Sequence, residues 1–487
     1  MASLPTEIIH PIVSFLYITP DSGSFTYRTR IKIADYATIS RQWQAAVEAI
    51  LWNRIKLLYG NHGDALEKLH QFTSGTADRR ARAGYIRTLV WSPEINWGDL
   101  LDETGSDHAA YANRVHGFYH DQFCASLKDV FNMLDSWKDR QSNLELSLWV
   151  SDNDLLDPGN EAIEDEEMAS LTTTDLWTRG QIPHSLHLTE DDIQDLPTLP
   201  FVRSFTVHDS GMTTVSPSAF FGILSRCPHV KHVAAGEGDF IPKSALLGLR
   251  EQRQDVVKYL PLIPESVDTL TYELSSQREL APNPMSNAGN YLSNNLDNFS
   301  IAFRMLSMRL RELRLHDVRI SSSFFWPCEY ENASPADQYW PNLEVLEVID
   351  VPPFTADGKW IIDDDPNKDW EGDLDTYGWE YDSDYYAMRG IIKSHEVDHL
   401  YIAMAKAARQ MPRLRRLKFC FRGEVGERGS MEYLKFDRDE TGKARLSIST
   451  EWEYSLGEGV IKAWELKGNK ADGFRNKWSV SLDRWPA

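Results

Sequence analysis

The sequence predicts a mixed α+β or α/β fold with three parts: short N-terminal helices, a central array of strands alternating with helices, and a small C-terminal antiparallel sheet. Apolar residues near the N-terminus recur at helical spacing. Through the centre, an apolar-x-x-apolar-x-apolar pattern recurs, and its last three positions alternate as in a strand with one buried face. Near the C-terminus, similar alternating segments flank a polar run that contains Gly442, which favours antiparallel hairpins.

The N-terminal segment, residues 4–57, predicts three short amphipathic helices. One helical face carries five apolar residues: Leu4, Ile8, Ile12, Phe15 and Leu16. A second face repeats at every fourth position: Ile39, Trp43, Val47 and Leu51. A helical domain this small cannot bury so many large apolar side chains alone, so we expect its remaining apolar surface to contact a partner.

Particular residues in this segment resemble a known family. Leu-Pro-x-Glu-Ile at residues 4–8 is followed by Phe15-Leu16 and then by Ser-Arg-Gln-Trp at residues 40–43. The segment is similar to the F-box of a large group of filamentous-fungal proteins, although Pro11 lies inside the first helix and predicts a mild kink there. The resemblance implies docking on a Skp-type adaptor through Leu4, Pro5, Ile8, Ile12, Phe15, Leu16 and Trp43. An ordinary helical cap on a larger domain is the alternative.

Composition and charge restrict the function classes. The chain of 487 residues carries a net charge of −22, and this acidity lies outside the N-terminal segment. An acidic body argues against nucleic acid as a partner, because phosphate binding needs clustered Lys and Arg. Neither a membrane-spanning apolar run nor a signal-peptide pattern is visible, and the four cysteines lack Cys-x-x-Cys spacing. We expect an intracellular protein, in the cytoplasm or nucleus, with no membrane partner.

The central pattern predicts an irregular repeat domain over residues 58–430. It recurs in seven segments: 85–90, 200–207, 228–233, 264–270, 310–315, 340–348 and 411–419. Residues 218–225 and 401–410, which lie between such segments, are typical of helices. A strand plus a helix in each unit resembles a degenerate leucine-rich-repeat array, in which neighbouring units stack on a common core. A generic α/β domain with several short parallel strands is the alternative.

The C-terminal part, residues 431–487, predicts a small β-rich cap. Four segments in it alternate as strands do: 434–436, 446–449, 460–466 and 478–482. A repeat array needs its last unit covered. We therefore expect an antiparallel sheet at this end.

An acidic insertion, residues 355–395, interrupts the array. Trp360, Trp370 and Trp379 lie among its carboxylates, which is a combination suited to a basic protein segment through charge and cation–π contacts. These tryptophans are weak candidates for substrate binding. The alternative is a solvated loop held by a few aromatic residues.

The sequence contains one motif typical of zinc hydrolases. His395-Glu396-x-x-His399 matches the spacing that places two imidazoles on one face of a helix. However, Asp398 puts a charge inside the motif, and the helix's apolar residues predict that both histidines face solvent: Val397, Leu400, Tyr401, Met404 and Ala408. His116 and His120 are the other pair at this spacing, with no evident third ligand. We therefore predict no catalytic residue, metal or cofactor.

Taken together, these features predict a non-enzymatic substrate-recognition adaptor of an SCF-type (Skp–cullin–F-box) ubiquitin ligase. The N-terminal segment would bind the Skp-type adaptor, and through it a cullin, while the repeat domain would hold an unknown protein substrate. The first alternative is a repeat-type interaction scaffold with a vestigial F-box. A zinc hydrolase at His395 and His399 is a remote second alternative.

Overall fold

The computed structural model describes residues 9, 33–57, 65–93, 108–138, 143–151, 184–210, 213–239, 246–276, 296–351, 362–363, 391–392, 394–421, 433–451, 456–471 and 475–482. The chain forms two compact units. The first comprises Met1–Ala162, Leu188–His208 and Ile223–Val230. The second comprises Ile163–His187, Asp209–Gly222 and Lys231–Ala487.

The described α-helices are α1 (Arg41–Leu51), α2 (Ala65–Thr73), α3 (Ala77–Tyr85), α4 (His108–Asp135), α5 (Glu190–Asp195), α6 (Pro217–Ser225), α7 (Leu246–Tyr259), α8 (Asn298–Ser307), α9 (Ser394–Arg409) and α10 (Glu458–Trp464). The described strands are β1 (Arg54–Leu57), β2 (Thr88–Trp91), β3 (Leu144–Ser151), β4 (His184–Leu186), β5 (Val202–Ser210), β6 (Thr213–Val215), β7 (His232–Asp239), β8 (Thr269–Ser276), β9 (Glu312–His316), β10 (Val345–Val351), β11 (Ile362–Asp363), β12 (Ile391–Ile392), β13 (Arg416–Phe421), β14 (Tyr433–Arg438), β15 (Ala444–Glu451), β16 (Lys467–Ala471) and β17 (Arg475–Leu482). Among the residues described, no helix has the length and apolar character needed to cross a membrane.

The first unit contains a parallel sheet. β1 pairs with β2, and β2 pairs with β3, so that Arg54, Thr88 and Glu145 lie in one row across the strands. β3 has one buried face, because every second residue of the strand is buried and the residues between are more exposed. The buried residues are Leu144, Leu146, Leu148 and Val150. The long helix α4 likewise buries a stripe of apolar residues at helical spacing: Phe123, Leu127, Val130, Phe131 and Leu134.

The second unit contains a longer parallel array whose strand order follows the chain: β7, β8, β9, β10 and β13. Equivalent residues align across it, so one row runs through His232, Thr269, Glu312, Val345 and Arg416. A backbone ladder repeats just before each strand. For example, the Glu344 N–H donates to the Arg311 carbonyl at 2.8 Å, and the Arg415 N–H donates to the Glu344 carbonyl at 2.8 Å. Each strand of the array therefore pairs with its neighbour in the same register.

The buried residues of this array are those of the recurring sequence pattern. The first buried row of the strands contains Val233, Leu270, Leu313, Leu346 and Leu417. The second contains Ala235, Tyr272, Leu315, Val348 and Phe419. All seven segments predicted as strands contribute to strands, and the predicted helices correspond to α6 and α9. These predictions are confirmed.

The array continues into an antiparallel sheet at the C-terminal end. β13 pairs antiparallel with β14, β14 with β15, β15 with β17, and β17 with β16. The predicted antiparallel sheet is therefore present and is continuous with the last parallel strand.

The prediction of a strand at residues 460–466 in this region is wrong. Most of it lies in α10, which buries Val460 and Trp464 one turn apart. The Trp464 indole N–H donates to the Tyr401 carbonyl at 2.9 Å, so a contact with α9 favours the helix at a sequence whose apolar spacing suits both structures.

The coarse fold prediction is confirmed: the described residues form a mixed α/β structure with mostly parallel strands. The three-helix N-terminal domain is not shown. Of the first 57 residues, the structure describes Ile9 and residues 33–57, which contain α1, a short 3₁₀ turn at Ile33–Thr38 and strand β1. The last residues of the predicted helical segment therefore belong to a sheet.

Candidate functional site

Helix α1 forms the described core of the N-terminal segment. Ser40 caps its first turn, where the Ser40 hydroxyl accepts a hydrogen bond from the Trp43 N–H at 3.3 Å. The helix buries Ala46 and Val47 in a cluster with Ile9. Four partly buried residues pack against this cluster: Tyr36, Ala37, Trp43 and Ile50. The segment therefore has a small apolar core of its own.

Two large apolar side chains at the ends of α1 remain exposed. Ile39, just before the helix, is 57% exposed, and Leu51, its last residue, is 39% exposed. We refer to Ile39 and Leu51 as the box surface. Both side chains are therefore accessible to a partner, although single exposed apolar residues also occur on surfaces with no binding role.

The same helix is also tied to the rest of the first unit. Glu48 of α1 and Arg82 of α3 form an ion pair at 2.8 Å, and the Arg82 guanidinium lies 5.7 Å from the Trp52 ring centroid. Three residues after the end of α1, Arg54 begins strand β1, which pairs with β2. The N-terminal segment and the start of the sheet are thus part of one compact unit.

Most residues expected to bind a partner lie outside the described residues. This applies to Leu4, Pro5, Ile8, Ile12, Phe15 and Leu16 and to the weak substrate candidates Trp360, Trp370 and Trp379. Trp43 is described, and it is half-buried, with its ring 6.0 Å from that of Tyr36. In the acidic insertion, the described strands β11 and β12 pair antiparallel.

The histidines of the hydrolase-like motif lie on the exposed face of α9. His395 and His399 are exposed and their rings are 4.3 Å apart, while all five residues of the predicted apolar face are buried. Asp398 has a structural contact: its carboxylate accepts a hydrogen bond from the Gly457 N–H at 3.2 Å. Among the described residues, neither histidine belongs to a group of three possible metal ligands.

Such a group does exist elsewhere, in the first unit. His120 and Cys124 of α4 and Asp192 of α5 each offer a ligand atom, and these atoms lie within 4.8 Å of one another. The sequence pointed to His120 but paired it with His116, whose side chain lies outside the described part. The sequence gives no sign that Asp192 completes the group, because a residue so distant from α4 has no spacing relation to it.

Two groups of this cluster, Cys124 and Asp192, have shifted pKa values. Burial raises the pKa of the Cys124 thiol to about 12, with the negative charge of Asp192 adding to the effect. Burial opposes ionisation of Asp192, but hydrogen bonds from Thr189 and the nearby His120 and Lys128 hold the pKa of its carboxyl below the usual value. Cys124 is therefore a protonated thiol of low reactivity beside an ionised carboxylate at neutral pH.

Comparisons with known proteins assign no activity. Residues 387–481 match a family of unknown function, DUF6546. The matched segment covers α9, the last parallel strand and most of the antiparallel sheet, which is a minor part of the chain. No curated protein matches the chain.

Proposed function

We propose that the chain is a substrate-recognition adaptor of an SCF-type ubiquitin ligase. The observation that carries this proposal is α1, which holds Ala46 and Val47 in a core with Ile9 while leaving Ile39 and Leu51 exposed. Together with the F-box resemblance of residues 4–57, this arrangement supports docking of a Skp-type adaptor on the box surface. A few residues usually carry most of the binding free energy of a protein interface.

The parallel array of the second unit supports the other half of the proposal, a surface for a protein substrate. Its less buried face carries linked charges: Arg314 lies 3.0 Å from Glu347, and Arg416 lies 3.5 Å from the same carboxylate. Stacked repeats present such a face over several units, which is suited to binding an extended or folded protein. Ubiquitin transfer itself would be carried out by other subunits, and we propose no catalytic residue on this chain.

A repeat-type scaffold with a vestigial F-box is the second candidate. The Glu48–Arg82 ion pair favours it, because this contact gives the N-terminal segment a structural role in the first unit. The two candidates differ in whether the box surface binds a Skp-type adaptor.

The test is co-expression of the full chain with a Skp-type adaptor, using variants matched for exposure. Ile39→Asp and Leu51→Asp place a charge in the proposed interface. Met305→Asp and Leu262→Asp place the same charge at residues of the second unit that are 56% and 38% exposed. The proposal predicts that only the first pair loses the adaptor. Equal binding by all four variants, or no binding by the folded wild type, would contradict the adaptor proposal and favour the repeat-type scaffold.

A further inference from the structure

The His120–Cys124–Asp192 cluster joins two helices of the first unit. His120 and Cys124 are one turn apart on α4, so both side chains lie on the same helix face. Asp192 reaches them from α5: its Oδ2 lies 3.6 Å from His120 Nε2, and Cys124 Sγ lies 3.8 Å from the same nitrogen. We propose that these three residues bind a zinc ion, independently of any adaptor function.

The distances fit a tetrahedral site. Zinc binds His nitrogen and carboxylate oxygen at about 2.0–2.2 Å and Cys sulfur at about 2.3 Å, which places neighbouring donor atoms about 3.3–3.6 Å apart. Measured to the same His120 nitrogen, Nε2, the observed separations are 3.6 Å to Asp192 Oδ2 and 3.8 Å to Cys124 Sγ, which exceed this range by little. All three donor atoms lie within 4.8 Å of one another, so we expect side-chain rotations to close the remaining gap when the ion binds.

The carboxylate is held in place by a neighbour. Asp192 and Thr189 form a reciprocal capping box, in which Asp192 Oδ2 accepts hydrogen bonds from the Thr189 N–H at 3.1 Å and from its hydroxyl at 2.5 Å. Outer contacts of this kind orient metal ligands and strengthen binding. Since the other two ligands lie on the long helix α4, all three donors are positioned by ordered elements.

A lysine competes with the ion. Lys128, one turn beyond Cys124 on α4, places its Nζ 3.7 Å from Asp192 Oδ1 and 3.2 Å from Asp195 Oδ2. Asp195 is exposed and can retain the lysine when Asp192 turns to the metal. Zinc binding would therefore break the ion pair between Lys128 and Asp192 and leave the one between Lys128 and Asp195. The Lys128 side chain is partly exposed.

The donor set selects the metal. One imidazole nitrogen, one thiolate and one carboxylate form a borderline-soft set that suits zinc, whereas magnesium and calcium prefer oxygen ligands alone. Three protein ligands leave a fourth tetrahedral position for water or an external group. Bound in this way, the ion would link α4 to α5.

The test is direct titration of the full chain with Zn²⁺ against a chromophoric chelator, and with Co²⁺, whose thiolate complex absorbs in the near ultraviolet. Wild type should bind one equivalent and give the thiolate band. Cys124→Ala and Asp192→Asn should lose the band and the tight binding. Cys328→Ala and the double variant His395→Ala/His399→Ala remove a cysteine and two histidines elsewhere, so both should bind as wild type does.

Two further variants test the surroundings of the site. Thr189→Ala should weaken binding by about 10- to 100-fold, because it frees the carboxylate. Lys128→Met should tighten binding, because it removes the competing cation. Failure of wild type to bind either metal, or unchanged binding by Cys124→Ala, would overturn the proposal. Loss of binding in the His395/His399 variant would also overturn it.

Discussion

A buried ion pair in the second unit gives the sharpest stability prediction. Arg253 of α7 and Asp297, the N-cap of α8, form an ion pair at 2.7 Å, with side chains only 6% and 3% exposed. Arg253 also donates to the Arg319 carbonyl at 3.0 Å, and its guanidinium lies 4.2 Å from the Phe299 ring centroid. The pair thus connects two helices to the chain beyond β9.

Replacing Asp297 with Ala leaves the Arg253 charge buried without its carboxylate. Removing one member of a buried pair costs about 3–5 kcal/mol, and the same substitution also removes the N-cap of α8. By contrast, Lys231 and Asp268 form a half-exposed pair at 3.2 Å. Asp268→Ala should cost about 0–1 kcal/mol.

Hydrogen exchange measured by mass spectrometry on peptides covering α8 is the suitable assay, because a chain with two compact units need not unfold in one step. The opening free energy of α8 should fall by about 3–5 kcal/mol in Asp297→Ala. It should fall by less in the double variant Arg253→Met/Asp297→Ala, where no charge is left unpaired. A loss in Asp297→Ala no larger than that in Asp268→Ala would refute this reasoning.

Three further predictions follow from individual contacts. Leu417→Ala, in the first buried row of the array, should lower the opening free energy of β13, measured by hydrogen exchange, by about 2–5 kcal/mol, whereas Leu417→Met should cost less than about 1.5 kcal/mol. Trp464→Phe removes the hydrogen bond to the Tyr401 carbonyl and should lower the opening free energy of α9, measured by hydrogen exchange, by about 0.5–1.5 kcal/mol, because this carbonyl lies inside α9 and loses only an additional donor; no change would contradict that contact. Glu48→Gln should change thermal stability by less than about 1 kcal/mol, since its pair with Arg82 is partly exposed, and a larger loss would show that this pair anchors α1.

The strands of the array could be predicted from sequence because each repeat carries its own signal. In Leu310-x-x-Leu313-x-Leu315, the three apolar residues are the buried ones, and the same holds for Leu343-x-x-Leu346-x-Val348. Neighbouring units then stack in register without information from distant parts of the chain.

The remaining features depend on contacts that sequence spacing does not show. Residues 458–464 form a helix because Trp464 reaches α9, although alternation of the same residues favoured a strand. The zinc-binding cluster was missed for a related reason. His120 and Cys124 show helical spacing, but the fold alone brings Asp192 to them.

The central claim is that the N-terminal segment binds a Skp-type adaptor. The most direct measurement is the mass of the complex obtained when the full chain and the adaptor are co-purified, determined by light scattering during size-exclusion chromatography. Deleting the whole segment is unsuitable as a control, because residues 54–57 form strand β1; Leu51→Asp serves instead. A one-to-one complex formed by wild type and lost in Leu51→Asp is the predicted result. Folded wild-type chain that elutes without the adaptor would contradict the claim.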